Sequence, residues 1–349
     1  MSRSVVLSAV GIGAAVLIIS KVKTSAFVKE KRRANSGQVP ASPDAAGAVP
    51  IILRNNKGIE LYVRRWDAPA QTEERKELKG LIVMVHGDLL TSEFFRGSAA
   101  TLASKGFAIY SYDQRGYGLS GCMRGVERHI DSFSEYNADL GKVVDFARSD
   151  NPGLPCFLYG EDMGATVALA YAESEDSREK IAGLVLASPL LECPALEGTL
   201  GGLSNSLFPL AKAPKWKSTC GFEELFPDAA AANAAKATFD ERNPTTVRKV
   251  SEMRKMCGHV KKNVSKISLP VLLMHGNEDK RNDGALSDQF QESLREAGCS
   301  VFYRPYPDGK HGLLQDPDKR AFPLGDMQAW LVRHASETKG SGSAEQTQG

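Results

Sequence analysis

From about residue 50 to residue 335, short and nearly continuous apolar runs alternate with runs that are apolar on one side only. The stretches "IELYVRRW", "LIVMVHG", "FAIYSYD", "PCFLYG", "IAGLVLASPL", "LPVLLMHG" and "SVFYRPYP" predict strands. Between them, "SEFFRGSAATLASKG" predicts a helix ended by Gly106. Ser132 and Glu135 predict a capping box for a helix with Tyr136, Leu140, Val143 and Val144 on one face. A further helix starts at Met163, and "PLGDMQAWLVRHA" closes the series. Strands apolar on both faces and separated by helices imply a mostly parallel sheet covered on both sides, an α/β architecture. The rhythm breaks from about 191 to 268, where no strand pattern occurs. Leu196, Leu200, Leu203, Leu207 and Leu210 recur there at helical spacing, interrupted by glycines and Pro209. An insertion between two strands predicts a helical cap over the carboxyl edge of the sheet, where ligands bind in such folds.

The two ends differ from this body. "VVLSAVGIGAAVLIIS" (5–20) is uncharged and precedes Lys21, Lys23, Lys29, Lys31, Arg32 and Arg33. Sixteen helical residues would span roughly 24 Å, slightly less than a ~30 Å hydrocarbon core. No small-x-small cleavage site follows before the lysines, so an uncleaved membrane anchor over 1–33 is favoured over a cleaved signal peptide. A mitochondrial presequence fits less well, because the segment is apolar all round. The flanking positive charge would place the body on the cytosolic side. Residues 34–49 read as a Pro/Gly/Ala-rich linker, 50–336 as the main domain, and 337–349 as a disordered tail.

Charge follows the same division. Residues 1–33 hold seven Lys/Arg against one Glu, so the net +2 of the chain is +6 there and −4 elsewhere. The main body therefore gives no reason to expect nucleic acid. Six cysteines show neither a C-x-x-C pair nor metal-ligand spacing, which predicts reduced and mostly buried thiols; no metal and no cofactor is expected.

Several motifs occur in a fixed order: "VMVHG" (83–87), "YDQRGYGLS" (112–120), "GEDMGA" (160–165), "LVLASPLL" (184–191), "HGNEDK" (275–280) and "KHGLL" (310–314). Together they resemble the α/β-hydrolase fold, and within it the monoacylglycerol lipase and serine aminopeptidase branch, over roughly residues 50–335. The resemblance implies roles position by position. Asp162 stands where the family has its nucleophilic serine, Asp279 matches the triad acid, and His311 matches the base. The N–H groups of Asp88 and Met163 match the oxyanion hole. Gly160 and Gly164 fit the close approach of strand and helix at the nucleophile elbow. His86 is expected as a packed residue, His129, His259 and His334 as surface or cap residues, and Arg115 as a salt-bridge partner.

Aspartate at the elbow changes the chemistry. A carboxylate attacking an ester carbonyl forms a mixed anhydride, which reverts more easily than it forms. Removing a triad serine costs on the order of 10⁶ in turnover in a well-studied protease. Ester hydrolysis is accordingly expected to be very weak or absent. A carboxylate suits attack on an sp³ carbon, as in epoxide hydrolases and haloalkane dehalogenases of the same fold. The cap stretch 191–268, however, contains no tyrosine to protonate an epoxide oxygen, and Met163 replaces the halide-binding tryptophan of the dehalogenases. Three readings remain open: a membrane-anchored lipase-like protein with a lipid-like ligand and a silenced ester site, an aspartate-nucleophile hydrolase of an alkyl electrophile, or an interaction protein on this scaffold. His311 between the carboxylates of Asp162 and Asp279 is expected to hold its proton more tightly than usual.

Overall fold

A computed structural model describes residues 47–66, 78–193, 226, 230, 232–233, 245–316 and 318–345. The apolar segment and basic flank (1–33), the linker up to residue 46, the leucines at 196–210 and Cys220 lie outside the described residues.

Eight strands form one sheet in the order β1-β2-β4-β3-β5-β6-β7-β8. They are β1 Val49–Arg54, β2 Glu60–Trp66, β3 Gly80–Val85, β4 Phe107–Tyr112, β5 Cys156–Glu161, β6 Gly183–Ala187, β7 Val271–Gly276 and β8 Val301–Tyr306. β1 and β2 pair antiparallel, as do β2 and β4, and all other pairings are parallel. β3, β4, β5, β6 and β7 are buried at every position, which explains their lack of polar alternation. Successive side chains feed two separate cores. Leu81, Val83 and Val85 join one core, and Ile82 and Met84 the other. Burying each such side chain fully contributes about 1.5–3 kcal/mol.

The helices are α1 Arg96–Ser104, α2 Ser134–Asp150, α3 Met163–Ala172, the short α4 Glu175–Arg178, α5 Val247–Lys262, α6 Gly284–Glu296 and α7 Ala321–Glu345. The larger core lies under α2, α3 and α5, while α1 and α7 cover the opposite face. α3 is buried along its whole length, because α2 and α5 pack over it. α7 extends over 337–345, part of the stretch read from sequence as a tail.

Two local expectations need correction. The capping box does not close: the Ser132 hydroxyl accepts from the Ser134 N–H at 3.3 Å, and the Glu135 carboxylate accepts from the Asp131 N–H at 3.0 Å. Glu135 is turned inward, where Arg115 lies 3.2 Å away and Lys57 also reaches it. His129 is no surface residue. It is fully buried, with Nδ1 2.9 Å from the hydroxyl of Thr246, the residue that caps α5. Of the cap, α5 is the largest described piece. Its buried face (Val247, Val250, Met253, Met256, Val260) lies against α3 and so holds the cap's return to the body next to the elbow.

At that elbow the chain reverses from β5 into α3. A Cβ on Gly160 would meet the Ala165 Cα at 2.5 Å. One on Gly164 would strike the Val85 carbonyl and lie 2.7 Å from the His86 oxygen. Gly164→Ala is therefore expected to destabilise the fold by about 3 kcal/mol or more, because backbone must move to admit the methyl. Urea unfolding of both proteins checks this, and an unchanged midpoint would contradict the packing.

Candidate active site

The elbow residue is Asp162. Its backbone adopts φ 54° and ψ −124°, a conformation that costs a non-glycine residue on the order of 1–3 kcal/mol. Surrounding bonds enforce it: the Asp162 N–H donates to Ala187 at 3.1 Å, and its carbonyl accepts from Ala165 and Leu190, both at 3.1 Å. The side chain thus stands at the carboxyl edge of the sheet, at the N-terminal end of α3, where a helix dipole favours negative charge.

The structure brings all five residues singled out from sequence to this point. Asp279 follows β7 and is fixed through Oδ1, which accepts from the N–H groups of Arg281 (2.8 Å) and Asn282 (3.0 Å). Its Oδ2 lies 2.8 Å from His311 Nδ1. His311 Nε2 lies 4.0 Å from Asp162 Oδ1. Asp88 donates its N–H to Asp162 Oδ2 at 3.0 Å, and Met163 begins α3, so its N–H belongs to the unpaired first turn. His86, packed as expected, steadies the loop that presents Asp88. Its Nε2 accepts the Gln114 N–H at 2.9 Å, and its Nδ1 faces the Gly87 carbonyl at 2.7 Å. Arg115 is likewise an internal ion-pair partner, 2.6 Å from Asp139.

The Asp88 carboxylate is engaged by its neighbours. Lys249 of α5 and the Tyr117 hydroxyl both bond its Oδ1, and Arg128 lies 3.3 Å from Oδ2. Lys249 is fully buried, so the ion pair ties the cap's helix to the hole loop. Tyr117 is thereby spent on Asp88, and neither it nor Tyr112 lines the cleft.

Three participants carried no family signal. Arg281 places Nε 3.3 Å from Asp162 Oδ1 and Nη2 3.3 Å from Oδ2, and reaches Asp88 at 4.0 Å. Asn282 donates to Asp162 Oδ1 at 3.0 Å and to the Ser188 carbonyl at 2.7 Å. The clue to both was their position two and three residues after Asp279. Lys249, far away in sequence, had none. The result is a chain of alternating charge: Lys249, Asp88, Arg281, Asp162, His311, Asp279.

That alternation sets the protonation states. Burial alone would raise the Asp162 carboxyl, but Arg281 and then His311 outweigh it and hold it below the usual range. Burial likewise opposes ionisation of Asp88, and Lys249, Arg128 and Arg281 prevail, leaving it well below that range. Burial pulls Lys249 down to about 8 against the pull of Asp88. For His311, burial favours the neutral ring, yet Asp279 and then Asp162 raise its pKa above 6.5. The raised pKa keeps more of His311 in the protonated form, which accepts no proton, than of an ordinary imidazole at the same pH.

The cleft over these groups has an apolar wall, Leu89, Leu90 and Phe226, and a polar floor, Glu161, Asp162, Arg281 and His311. Its free volume is ≈ 10 Å³, about the room one water requires. Among the described residues no group of His, Cys, Asp and Glu is arranged to hold a metal.

Two outcomes follow. A folded-state pKa raised on His311 contributes stability that is complete below about pH 6.5 and is lost as pH rises through the folded value. Asp162→Asn removes one of the carboxylates that raise it, so the His311 titration midpoint moves down. Nitrogen-15 NMR of the imidazole measures this, and equal midpoints would refute the coupling. Lys249→Met leaves a buried carboxylate short of one partner and is expected to cost about 3 kcal/mol or more in urea unfolding.

Comparison with known proteins places the chain among its relatives. Residues 76–318 match the family model described as serine aminopeptidase, S33. The monoglyceride lipase homolog of Monkeypox virus is 25% identical over 263 residues, 72% of this chain and 89% of that one. The monoacylglycerol lipase of Mycolicibacterium smegmatis is 24% identical over 263 residues, covering 73% and 89%. Among solved structures, a soluble variant of monoglyceride lipase from Saccharomyces cerevisiae, in complex with a substrate analog, superposes with a TM-score of 0.69 at 20% identity. That match covers 85% of this chain and 99% of the other. With the eight-stranded sheet and the order of its motifs, the chain belongs to the serine aminopeptidase S33 family of α/β-hydrolases.

Proposed function

We propose that this chain is a monoglyceride-lipase-like α/β-hydrolase whose site takes a lipid-like ligand but is silent toward esters, held at a membrane by its N-terminal apolar segment. The observation that carries the reading is the engagement of both oxygens of Asp162. Oδ2 occupies the Asp88 N–H that would otherwise stabilise an oxyanion, and Oδ1 is held by Asn282 and Arg281. The carboxylate sits in the hole itself. An ester carbonyl has no donor left at Asp88, and the raised pKa of His311 works against its service as a base.

The lipid-like ligand rests on the relatives, which carry monoglyceride or monoacylglycerol lipase names, and on the apolar wall of Leu89, Leu90 and Phe226. The anchor rests on the uncharged run 5–20 and its basic flank. No helix among the described residues is long and apolar enough to cross a membrane.

A second reading keeps Asp162 as a nucleophile toward an alkyl electrophile. Its support is the seating of Oδ2 on the hole N–H while Oδ1 faces His311 across 4.0 Å. Against it, Oδ1 already accepts two hydrogen bonds, and no tyrosine lines the cleft among the described residues.

The test compares residues 35–349 with their Asp162→Ser form on monoacylglycerols and nitrophenyl esters. Serine frees the Asp88 N–H and removes one of the carboxylates that raise the pKa of His311. The variant is expected to exceed the parent by more than about 10²-fold, given the ~10⁶ such a serine supplies elsewhere. Substantial ester turnover by the Asp162 form would sink the reading. A covalent alkyl adduct on Asp162 after incubation with an epoxide, seen by intact mass, would put the nucleophile reading in its place.

A further inference from the structure

Glu161 precedes the elbow residue, and none of the roles above uses it. It is fully buried, ends β5 and lines the floor of the cleft beside Asp162, Arg281 and His311. Its two oxygens have different surroundings. Oε2 accepts from the Tyr159 hydroxyl at 3.1 Å and from Gln315 Nε2 at 2.9 Å. Oε1 is buried and has no hydrogen-bond partner among the described residues. A buried acceptor left unpaired costs about 1–3 kcal/mol, which is why such groups are almost always satisfied. Glu161 is one of the residues lining the cleft, whose free volume of ≈ 10 Å³ is about that of one water or one hydroxyl.

We propose that Glu161 Oε1 receives the hydroxyl of an amphiphilic alcohol, whose alkyl part runs along Leu89, Leu90 and Phe226. This rests on the lipid-like ligand of the proposed function and adds its head group, a neutral hydroxyl rather than a carboxylate or phosphate. The neighbours favour that choice. An anionic head would meet the carboxylates of Asp162 and Glu161, and the cations it would seek are already engaged: Arg281 bonds Asp162, and His311 bonds Asp279. A hydroxyl donates the one hydrogen bond that is missing.

The electrostatic setting gives the binding a signature. Burial first, and Asp162 last, push the Glu161 carboxyl up to about 7, while His311, Gln315 and Tyr159 pull the other way. A hydroxyl donated to Oε1 stabilises the ionised form, because hydrogen bonds to a charged acceptor are the stronger ones. Binding therefore expels a proton from Glu161 and strengthens as pH rises through 7. Each unit by which the bound hydroxyl lowers that pKa makes binding tenfold tighter above the transition than below it. The charged groups acting on Glu161 are His311 from the loop after β8 and Asp162 from the elbow, and Arg281 from the loop after β7 lines the same cleft. Of these, His311 also titrates near neutrality, so a variant must separate the two.

The experiment is calorimetric titration of the full-length protein with 1-O-octylglycerol, which has no ester to cleave, at pH 5.5, 7 and 8.5 (about 1.5 units either side of the transition). The hydroxyl-free octyl methyl ether serves as control. We expect about tenfold tighter binding at the highest pH than at the lowest. Proton release should appear as a dependence of the heat on buffer ionisation enthalpy. Both effects should disappear in Glu161→Gln, which keeps an acceptor for Tyr159 and Gln315 but does not titrate. The proton release is measured on the unsubstituted protein, so the test stands even where the variant folds poorly. Equal, pH-independent binding by parent and variant, binding of the ether as tight as the alcohol, or a pH response surviving in Glu161→Gln would each overturn the role of Glu161 and leave the lipid-like ligand standing. Absence of binding by the alcohol and the ether at every pH would overturn both.

Discussion

The site depends on one buried carboxylate, that of Asp162, and on the counter-charges gathered around it. A carboxylate fully removed from water at a strained elbow is tolerated only with partners, since its desolvation amounts to several kcal/mol. Arg281, Asn282 and the Asp88 N–H provide them. Arg281 in turn lies between Asp162 and Asp88, Asp88 holds Lys249, and His311 lies between Asp162 and Asp279. At an effective dielectric of about 20, neighbouring opposite charges 4 Å apart gain about 4 kcal/mol. Each link therefore steadies the next, from the cap's helix to the loop after β8.

The same scaffold explains why a substitution at this one position reaches so far. An elbow exists because Gly160 and Gly164 let β5 and α3 approach β3, and because backbone bonds to Ala187, Ala165 and Leu190 hold the tip in an unfavourable conformation. The tip projects into a space defined by the hole loop and the loops after β7 and β8. A serine there is neutral and small. An aspartate brings a carboxylate to the same spot, where it accepts the Asp88 N–H and raises the pKa of His311.

Polar and apolar surfaces are divided accordingly. The cleft's floor is charged but internally paired, with Glu161 Oε1 the exception among the described residues, and its wall is apolar. That division suits a ligand that is mostly hydrocarbon with a single hydrogen-bond donor at its end.

Much of this was legible in the sequence for a simple reason. Continuous apolar runs at strand length are a local property, so the parallel sheet followed from residues read in line, while the grouping of Asp162, Asp279, His311, Asp88 and Met163 was what the family resemblance of the ordered motifs implied. β1 escaped because its short edge run, with burial alternating poorly, resembles the end of a linker. His129 looked like a surface residue because its cover comes from Thr246 in another element, more than a hundred residues away. The direction of the Asp88 side chain, the engagement of Arg281 and Asn282, and the burial of Lys249 beneath α5 were decided only by tertiary structure. Charge pairing inside a protein depends on which loops the sheet brings to one edge, and no local pattern encodes that distance.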